Sequence, residues 1–214
     1  MSVARSWRPE ACSPTIRYID AVIGQMLGQL SQRGVLDRTL ILVTADHGGE
    51  FGEHGAYGHG QSLNFQGLDV GLLMVMPGRI PGATVIRIPV SLRDLPSTVL
   101  ELIDGSAASP FRGSSLARFW QGGPLAADTL RFETLRTRNR PKGDPTAAGG
   151  LQGPMLDSLD FTRGAALPPH LYNIDVDPTE LKNLALLPAN AAMVDHFHHL
   201  LDRVIGGARS SHHR

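Results

Sequence analysis

The sequence predicts an α/β fold followed by a smaller antiparallel α+β piece, and three observations support this. An amphipathic helix pattern at residues 16–33 precedes an apolar run at 39–45, which is the order of an αβ unit. The apolar run lacks alternating polar positions, as is typical of a strand covered on both faces of a mainly parallel sheet. Beyond residue 125 short alternating segments follow, which are typical of antiparallel strands. We therefore predict two domains, 15–105 and 125–206.

The first predicted domain begins with one helix and one strand. Apolar residues at helical spacing predict the helix, and Gly34 is a suitable stop after it. They are Ile19, Val22, Ile23, Met26, Leu27 and Leu30. The strand at 39–45 then leads into a loop at 46–67, and loops of this length inside a domain are usually functional or disordered.

The rest of the first domain is predicted from shorter signals. Residues 70–76 are continuously apolar and predict a second buried strand, which Pro77 and Gly78 would end. A short strand is predicted at 85–88. A helix is predicted from Asp94 to about Ile103, because proline is favoured in the first turn of a helix and Pro96 stands there.

The second predicted domain consists of strands and one helix. Residues 129–137 predict a strand, and residues 138–155, rich in Pro and Gly, predict a loop. Alternating segments at 156–162 and 171–176 predict two more strands. Apolar residues at helical spacing predict a last helix at about 190–205.

Composition narrows the classes of function. The 214 residues contain 20 Lys+Arg and 20 Asp+Glu, so the net charge is zero, which argues against a nucleic-acid partner or a polybasic membrane patch. One cysteine, Cys12, excludes an internal disulfide. No apolar stretch reaches the ~18 residues of a membrane span. No secretory signal is visible at the start, so a cytoplasmic location is the default expectation.

The residues with the clearest chemistry follow the first strand. Asp46 and His47 stand at its carboxyl end, where open α/β sheets bind ligands, and both residue types bind divalent metals. His54 and His59 lie in a glycine-rich loop that could hold a sulfate or phosphate oxygen. From spacing alone, a turn cap by Asp46 and solvated loop histidines remain the alternative for all four residues.

Two further groups of residues have simpler interpretations. Cys12-Ser13-Pro14-Thr15 has a nucleophilic thiol, but we interpret it as a free cysteine in an irregular N-terminus. Five histidines near the C-terminus could bind metal adventitiously, but a solvated helix face and a chain end explain them better. They are His196, His198, His199, His212 and His213.

Four segments in order resemble the sulfatase family of the alkaline-phosphatase superfamily. Asp46-His47-Gly48 with Gly52-Glu53-His54-Gly55 is similar to the family pattern D-H-G-E-x-x-G-E-H-G, and His59 stands where the family has a Lys or His, thirteen residues after the Asp. VMPGRIPG and VSLRDLPSTVLELIDG resemble the next strand and helix. HLYNIDVDPTELKNLA is similar to the signature L-Y-D-L-x-x-D-P-x-E-x-x-N-L-A. The resemblance covers most of residues 16–205.

The resemblance implies a fold and a mechanism. The fold would be part of an alkaline-phosphatase-like sandwich, with a small C-terminal antiparallel subdomain. Asp46 and His47 would bind a divalent cation, with Ca²⁺ first and Mg²⁺, Mn²⁺ or Zn²⁺ as alternatives. His59 would contact the sulfate and act as general acid, and His54 would line the pocket. The substrate would be a sulfate ester of a small molecule or glycan, attacked in the family by a hydrated formylglycine.

The resemblance covers only the later half of a family member. The adjacent acidic metal ligands and the C/S-x-P-S-R segment that yields formylglycine have no match here, because Thr15-Ile16 follows Cys12-Ser13-Pro14. Gly49 replaces a usual Glu. We therefore expect a fragment with little or no turnover by itself, which a complementary N-terminal half would complete.

Three other functions remain open from the sequence. The same superfamily includes phosphoethanolamine- and phosphoglycerol-type transferases, which share the Asp-His pair and the later His. It also includes phosphodiester and phosphonate hydrolases. The third alternative is an inactive remnant or interaction module that uses the sheet of residues 125–206 as a binding surface.

Overall fold

The computed structural model describes residues 9–60, 62–105, 109–123, 128–134, 149–164 and 167–210. The helices are α1 (Pro9–Gln32), α2 (Phe65–Leu68), α3 (Leu95–Asp104) and α4 (Ala191–Ser210). The strands are β1 (Ile41–Val43), β2 (Glu50–Phe51), β3 (Tyr57–Gly58), β4 (Leu73–Val75), β5 (Leu130–Glu133), β6 (Leu151–Leu156), β7 (Leu159–Gly164) and β8 (His170–Asn173). None of the helices within these ranges is long and apolar enough to cross a membrane.

Helix α1 contains the predicted helix but begins earlier, at Pro9. It includes Pro14, whose ring removes one backbone donor near the start of the helix. Its apolar stripe does not pack into a core: Ile16 is 63% exposed, Ile19 50% and Met26 51%. A helix with an apolar face normally buries that face against another element, so this face of α1 has no counterpart among the described residues.

The two apolar runs of the first domain form a short antiparallel ribbon. Strands β1 and β4 pair with Ile41 opposite Val75 and Val43 opposite Leu73. The prediction of two buried parallel strands is wrong for this pair, because the chain turns back through residues 44–72 and the strands run in opposite directions. An unbroken apolar run indicates burial but not strand direction. All strand pairs of the described residues are antiparallel, so a mainly parallel sheet is not observed.

Helix α3 confirms its prediction and is fixed by polar caps. Pro96 lies in its first turn, and Gly105 ends it with φ 74°, the left-handed conformation that glycine adopts easily. Asp94 is 1% exposed, and its carboxylate accepts hydrogen bonds from the amides of Ser91 (3.1 Å) and Ser114 (3.0 Å). Residues 85–88 form no strand, and Val85 is 74% exposed, so that prediction is wrong. No neighbouring strand pairs with this segment among the described residues.

The second region contains a four-stranded antiparallel sheet in the order β5-β6-β7-β8. The predicted strand at 156–162 is instead a hairpin, with Leu156 opposite Leu159 and Asp157 at φ 52° in the turn. Part of the predicted loop at 138–155 is strand β6. Gly153, which suggested a loop, is needed within the sheet, because a Cβ there would lie 2.2 Å from the carbonyl oxygen of Phe161.

Helix α4 covers this sheet and completes the main core. Phe161 and Leu171 of the sheet pack with Phe197, Leu200 and Leu201 of the helix, and all five are buried. The rings of Phe161 and Phe197 stack with their centroids 5.6 Å apart. The predicted helix at 190–205 is confirmed and continues to Ser210. The division into domains 15–105 and 125–206 stays a prediction.

Among the C-terminal histidines, His198 has a packing role. Its ring lies edge-on to Phe161, with centroids 4.9 Å apart. His212 and His213 lie outside the described residues, as does the side chain of Cys12. Within the described part of this segment, the observed contact of His198 is therefore with the aromatic core.

Candidate functional site

The candidate site begins where β1 ends. The Oδ1 atom of Asp46 accepts a hydrogen bond from the backbone amide of His47 at 3.1 Å. The same oxygen lies 3.8 Å from Nε2 of His47. The side chain of Asp46 is 90% exposed and that of His47 is 46% exposed. The two side chains, although adjacent in sequence, therefore point to the same side of the chain and face solvent together.

The hydrogen bond of the His47 side chain indicates which ring nitrogen carries the proton and which keeps a lone pair. Nδ1 lies 2.8 Å from the carbonyl oxygen of Gly48, which can only accept, so we assign the proton to Nδ1. Nε2 then keeps its lone pair, as a metal-binding imidazole requires. A carboxylate oxygen and this nitrogen are both donor types that bind divalent cations. Within the described ranges, no group of three or more His, Cys, Asp or Glu side chains is placed to hold a metal, so these two donors form only part of a ligand set.

A small hairpin returns the chain to His47. Strands β2 and β3 pair with Glu50 opposite Gly58, and His59 follows directly. The imidazole rings of His47 and His59 stack, with centroids 4.2 Å apart and planes inclined by 20°. Asp46, His47 and His59, three of the four residues singled out from the sequence, therefore lie together at one exposed place.

His54 lies at the tip of this hairpin and contacts a different part of the chain. Its backbone has φ 50°, and the flanking Gly52 and Gly55 also have positive φ. Its Nε2 lies 3.7 Å from Oε2 of Glu180, whose side chain is 2% exposed. The structure thus pairs His54 with the C-terminal segment, which the spacing of the loop histidines did not indicate.

The backbone of the site loop is held by helix α2. The amide of Gly48 donates to the carbonyl of Gly67 at 2.9 Å, and that of Gly49 donates to the carbonyl of Gln66 at 3.0 Å. A Cβ at Gly48 would lie 2.1 Å from the Gln66 oxygen, so only glycine fits there. At Gly49 the nearest atom is a carbon of the Phe51 ring at 3.4 Å, so the site loop has room for a side chain there.

Two acidic residues within the loop stabilise the hairpin. Glu50 is 1% exposed, and its Oε1 accepts hydrogen bonds from Ser62 Oγ at 2.5 Å and Asn64 Nδ2 at 3.0 Å. Glu53 accepts the backbone amide of Phe51 at 2.6 Å, and this hydrogen bond lowers the pKa of Glu53. Both carboxylates close the loop on itself, so their roles within the described residues are structural.

Sequence reasoning missed two buried acidic residues near the site. Glu180 accepts the amide of Phe65 at 3.0 Å. Asp160 is 2% exposed, and its two carboxyl oxygens have no hydrogen-bond partner among the residues described. Burial, together with the nearby Glu180 carboxylate, raises the pKa of Asp160 well above its ordinary value. Glu180 was visible in the D-P-x-E signature, whereas an alternating strand gave no signal for Asp160.

Comparison with known proteins shows what this chain is similar to. The sulfatase family model matches residues 10–106. Arylsulfatase K of Gallus gallus is 27% identical over 176 residues, which cover 78% of this chain. The multifunctional alkaline phosphatase superfamily protein PehA of Trinickia caryophylli is 29% identical over 199 residues, or 89% of this chain. The phosphonate monoester hydrolase of Agrobacterium radiobacter aligns over 90% of the chain with a TM-score of 0.72 and 27% identity.

These matches confirm the resemblance to the sulfatase family and its alkaline-phosphatase-like fold. The chain spans only part of each relative: 31% of the arylsulfatase, 38% of PehA and 40% of the phosphonate monoester hydrolase. The similarity extends beyond the matched family domain, because the aligned shares of this chain exceed three quarters in all three comparisons.

Proposed function

We propose that this chain, which carries a sulfatase-family domain at residues 10–106, forms one side of a metal-dependent site for hydrolysing sulfuric esters. The observation that carries the proposal is the exposed cluster of Asp46, His47 and His59. It combines a carboxylate, an imidazole nitrogen with a free lone pair and a second imidazole stacked on the first at 4.2 Å.

In this proposal Asp46 and His47 hold the cation. The carbonyl of Gly48 orients the His47 ring and keeps the proton on Nδ1, as outer hydrogen bonds do for metal-binding histidines. Ca²⁺ is our first candidate because of the resemblance to the sulfatase family. Mg²⁺, Mn²⁺ and Zn²⁺ are alternatives, because the donor set mixes a hard oxygen with an imidazole nitrogen. When bound, a divalent cation would polarise the transferring group and balance charge on its oxygens.

His59 would act on the ester itself. An imidazole can donate a hydrogen bond to a sulfate oxygen, and it can carry and release a proton near neutral pH. We propose that His59 binds the sulfate and donates a proton to the leaving alcohol. The stacking of its ring on that of His47 supports this role. His54, bound to Glu180, would support the wall of the pocket and take no part in proton transfer.

We further propose that other protein groups complete the site. Ca²⁺ is a hard dication that takes six or more ligands, and the described residues offer two. Large apolar side chains are exposed on α1, as described above, and on the β1–β4 ribbon, where Leu73 is 57% exposed and Val75 40%. These surfaces suit burial against a complementary N-terminal half that would carry the nucleophile. The isolated chain would therefore hydrolyse esters slowly or not at all.

Metal binding tests the first part of this proposal. Calorimetric titration of the chain with Ca²⁺ and Mn²⁺ should detect weak binding that Asp46→Asn and His47→Ala each reduce by at least tenfold. Asp175→Asn is a matched control, because Asp175 is an exposed carboxylate in the C-terminal segment. Equal affinities in all four proteins would refute the assignment of the ligands.

Hydrolysis of an aryl sulfate tests the second part. We expect no turnover by the chain alone, and sedimentation should show association or aggregation through its exposed apolar faces. A monodisperse, cooperatively melting monomer would contradict the need for a complementary half. Turnover by the chain alone that Asp46→Ala abolishes would contradict it as well.

A phosphonate or phosphodiester hydrolase is the second candidate function. It is favoured because the phosphonate monoester hydrolase of Agrobacterium radiobacter is 27% identical to this chain, as similar as arylsulfatase K at 27%. Comparing kcat/KM for an aryl sulfate, a phosphonate monoester and a phosphodiester, in the protein with its site complete, decides between the candidates. A preference for either phosphorus ester by tenfold or more would favour the second.

A further inference from the structure

Glu180 lies at an unusual junction between the C-terminal segment and the site loop. It is 3% exposed, and its backbone has φ 56° although it is not a glycine. Its Oε2 accepts the amide of Phe65 at 3.0 Å and lies 3.7 Å from Nε2 of His54. One carboxylate oxygen therefore joins two separate parts of the loop, the tip of the β2–β3 hairpin and the start of α2.

A second hydrogen bond joins the same two segments. Nε2 of Gln66 donates to the carbonyl oxygen of Pro178 at 2.8 Å. Phe65 and Gln66 are the first two residues of α2, so both of their links to the C-terminal segment act on one turn of helix. Two bonds from neighbouring residues restrict rotation of that turn as well as its position.

Helix α2 in turn holds the backbone beside the proposed metal ligands. The carbonyls of Gly67 and Gln66 accept the amides of Gly48 and Gly49, and the contact at Gly48 is too close for any side chain. Gly48 also provides the carbonyl that orients His47. A displacement of α2 would therefore move the residue that sets the His47 ring.

The C-terminal segment is itself fixed, so it can serve as a support. The Asp177 carboxylate accepts the amides of Leu181 at 3.1 Å and Lys182 at 2.8 Å, which closes the turn around Glu180. The side chain of Asn183 accepts the amide of Leu171 at 3.0 Å, which ties the turn to strand β8. The support therefore extends from the buried sheet to Glu180.

We propose that Glu180 is a positioning residue, which transmits the rigidity of the C-terminal sheet through α2 and His54 to the Asp46-His47 metal site. The proposal rests on the function proposed above for that site. Glu180 touches neither substrate nor metal in this scheme. It acts by fixing Phe65 and His54, and hence the Gly48 carbonyl and the wall of the pocket.

The surroundings of Glu180 fit this role. The charged and titratable groups that face it are His54 from the hairpin, Glu50 from β2, Asp160 and Tyr172 from the sheet, and Asp177 from its own turn. Burial raises the pKa of Glu180, whereas the Phe65 amide and His54 oppose this rise. Those two partners are therefore the groups that stabilise its charged form.

Amide hydrogen exchange in the full 214-residue chain tests the proposal without any need for catalysis. Glu180→Ala should speed exchange at Phe65, Gly48 and Gly49 by about tenfold, the effect of losing one net hydrogen bond. Glu180→Gln keeps an acceptor for the Phe65 amide, so it should restore slow exchange at Phe65. Gln66→Ala, which removes only the Pro178 link, should speed Gly48 and Gly49 without changing the Glu180 carboxylate.

Metal affinity provides a second readout. Mn²⁺ should bind Glu180→Ala about tenfold more weakly, with Glu180→Gln intermediate and Asp175→Asn unchanged. Amides of β6 and β7 report whether each variant keeps its fold. Unchanged exchange at Phe65, Gly48 and Gly49 in a folded Glu180→Ala protein would overturn the proposal. If Glu180→Ala does not fold, unchanged exchange at Gly48 and Gly49 in Gln66→Ala would overturn it. If exchange changes as expected but neither Ca²⁺ nor Mn²⁺ binds the unaltered chain more tightly than Asp46→Asn, the proposed metal site fails and the support by Glu180 stands.

Discussion

The two regions of this chain are held together in different ways. The region of β5 to β8 and α4 has a contiguous apolar core in which Phe161, Leu171 and Leu201 are fully buried. The region of α1 to α3 has strands of two or three residues and an exposed helix face, and much of its order comes from buried carboxylates such as Asp94 and Glu50. The candidate site lies in the region of α1 to α3. Glu180 and Gln66 link it to the region of β5 to β8 and α4. Apolar packing thus dominates in one region, while the other combines a few buried apolar side chains, such as Leu63 and Leu102, with buried hydrogen bonds.

Removal of one apolar side chain from each region tests this difference most directly. Phe161→Ala should destabilise the chain by about 3–5 kcal/mol, because it empties a fully buried position between the sheet and α4. Leu73→Ala should change stability by less than about 0.5 kcal/mol, because Leu73 is 57% exposed on β4. Denaturant unfolding followed by circular dichroism measures both. Similar losses for the two variants would show that Leu73 is packed as tightly as Phe161, which would contradict the exposed face of the β1–β4 ribbon.

The next largest effect is expected at the site loop. Gly48→Ala places a Cβ 2.1 Å from the Gln66 oxygen, so α2 and the loop must separate. We expect Mn²⁺ affinity to fall by about 10- to 100-fold, the usual consequence of disturbing the groups around metal ligands. Gly49→Ala is the matched control, since its Cβ would meet only the Phe51 ring at 3.4 Å. Equal losses of Mn²⁺ affinity in the two variants would mean that any side chain added to the loop disturbs the site. The close contact between Gly48 and α2 would then not be the cause.

The buried Asp160 should make stability depend on pH. Its pKa is raised by burial and by Glu180, so the folded state binds more protons than the unfolded state between the unfolded and folded pKa values. The free energy of unfolding therefore falls as pH rises through this window, and the loss is complete above the folded pKa. Glu180, also raised mainly by burial, contributes in the same direction.

Asp160→Asn should remove most of this dependence. At pH 8 the variant should melt higher than the unaltered chain, with roughly 2–4 °C for each kcal/mol gained, and near pH 4 the two should melt alike. Asp175→Asn, which removes an exposed carboxylate, should leave the difference between the two pH values unchanged. An Asp160→Asn variant that is less stable at pH 8 would show that the carboxylate has a stabilising partner.

Much of this architecture could be predicted from local patterns. Helices α3 and α4 were predicted within a few residues because their apolar periodicity is strong and Gly105 ends α3. The antiparallel pairing of β1 and β4 could not be, because apolar residues report burial and not strand direction. The predicted strand at 156–162 overlooks the turn signal at Asp157 and Ser158, two polar residues in succession that interrupt the alternation.

Some residues of the candidate site can likewise be predicted from the sequence and others cannot. Asp46, His47 and His59 were selected from spacing and resemblance, and the structure brings them together. Their function stays a prediction until metal binding is measured. The link from Glu180 to Phe65 joins residues 115 positions apart, and pairings of this range leave no periodic signal in one sequence. The burial of Asp160 could not be predicted, because a buried carboxylate and an exposed one occupy the same kind of position in an alternating strand.

The smallest effects are expected at the cap of α3, where polar groups replace packing. Asp94→Ala leaves the amides of Ser91 and Ser114 without their acceptor, so it should cost about 1–3 kcal/mol. Ser91→Ala removes only the acceptor of the Arg93 amide, a bond of 3.3 Å at an exposed place, so it should cost about 0.5–1 kcal/mol. Urea unfolding of both variants gives the two values. If Ser91→Ala costs as much as Asp94→Ala, the cap is a single unit and Asp94 does not anchor the Ser114 segment separately.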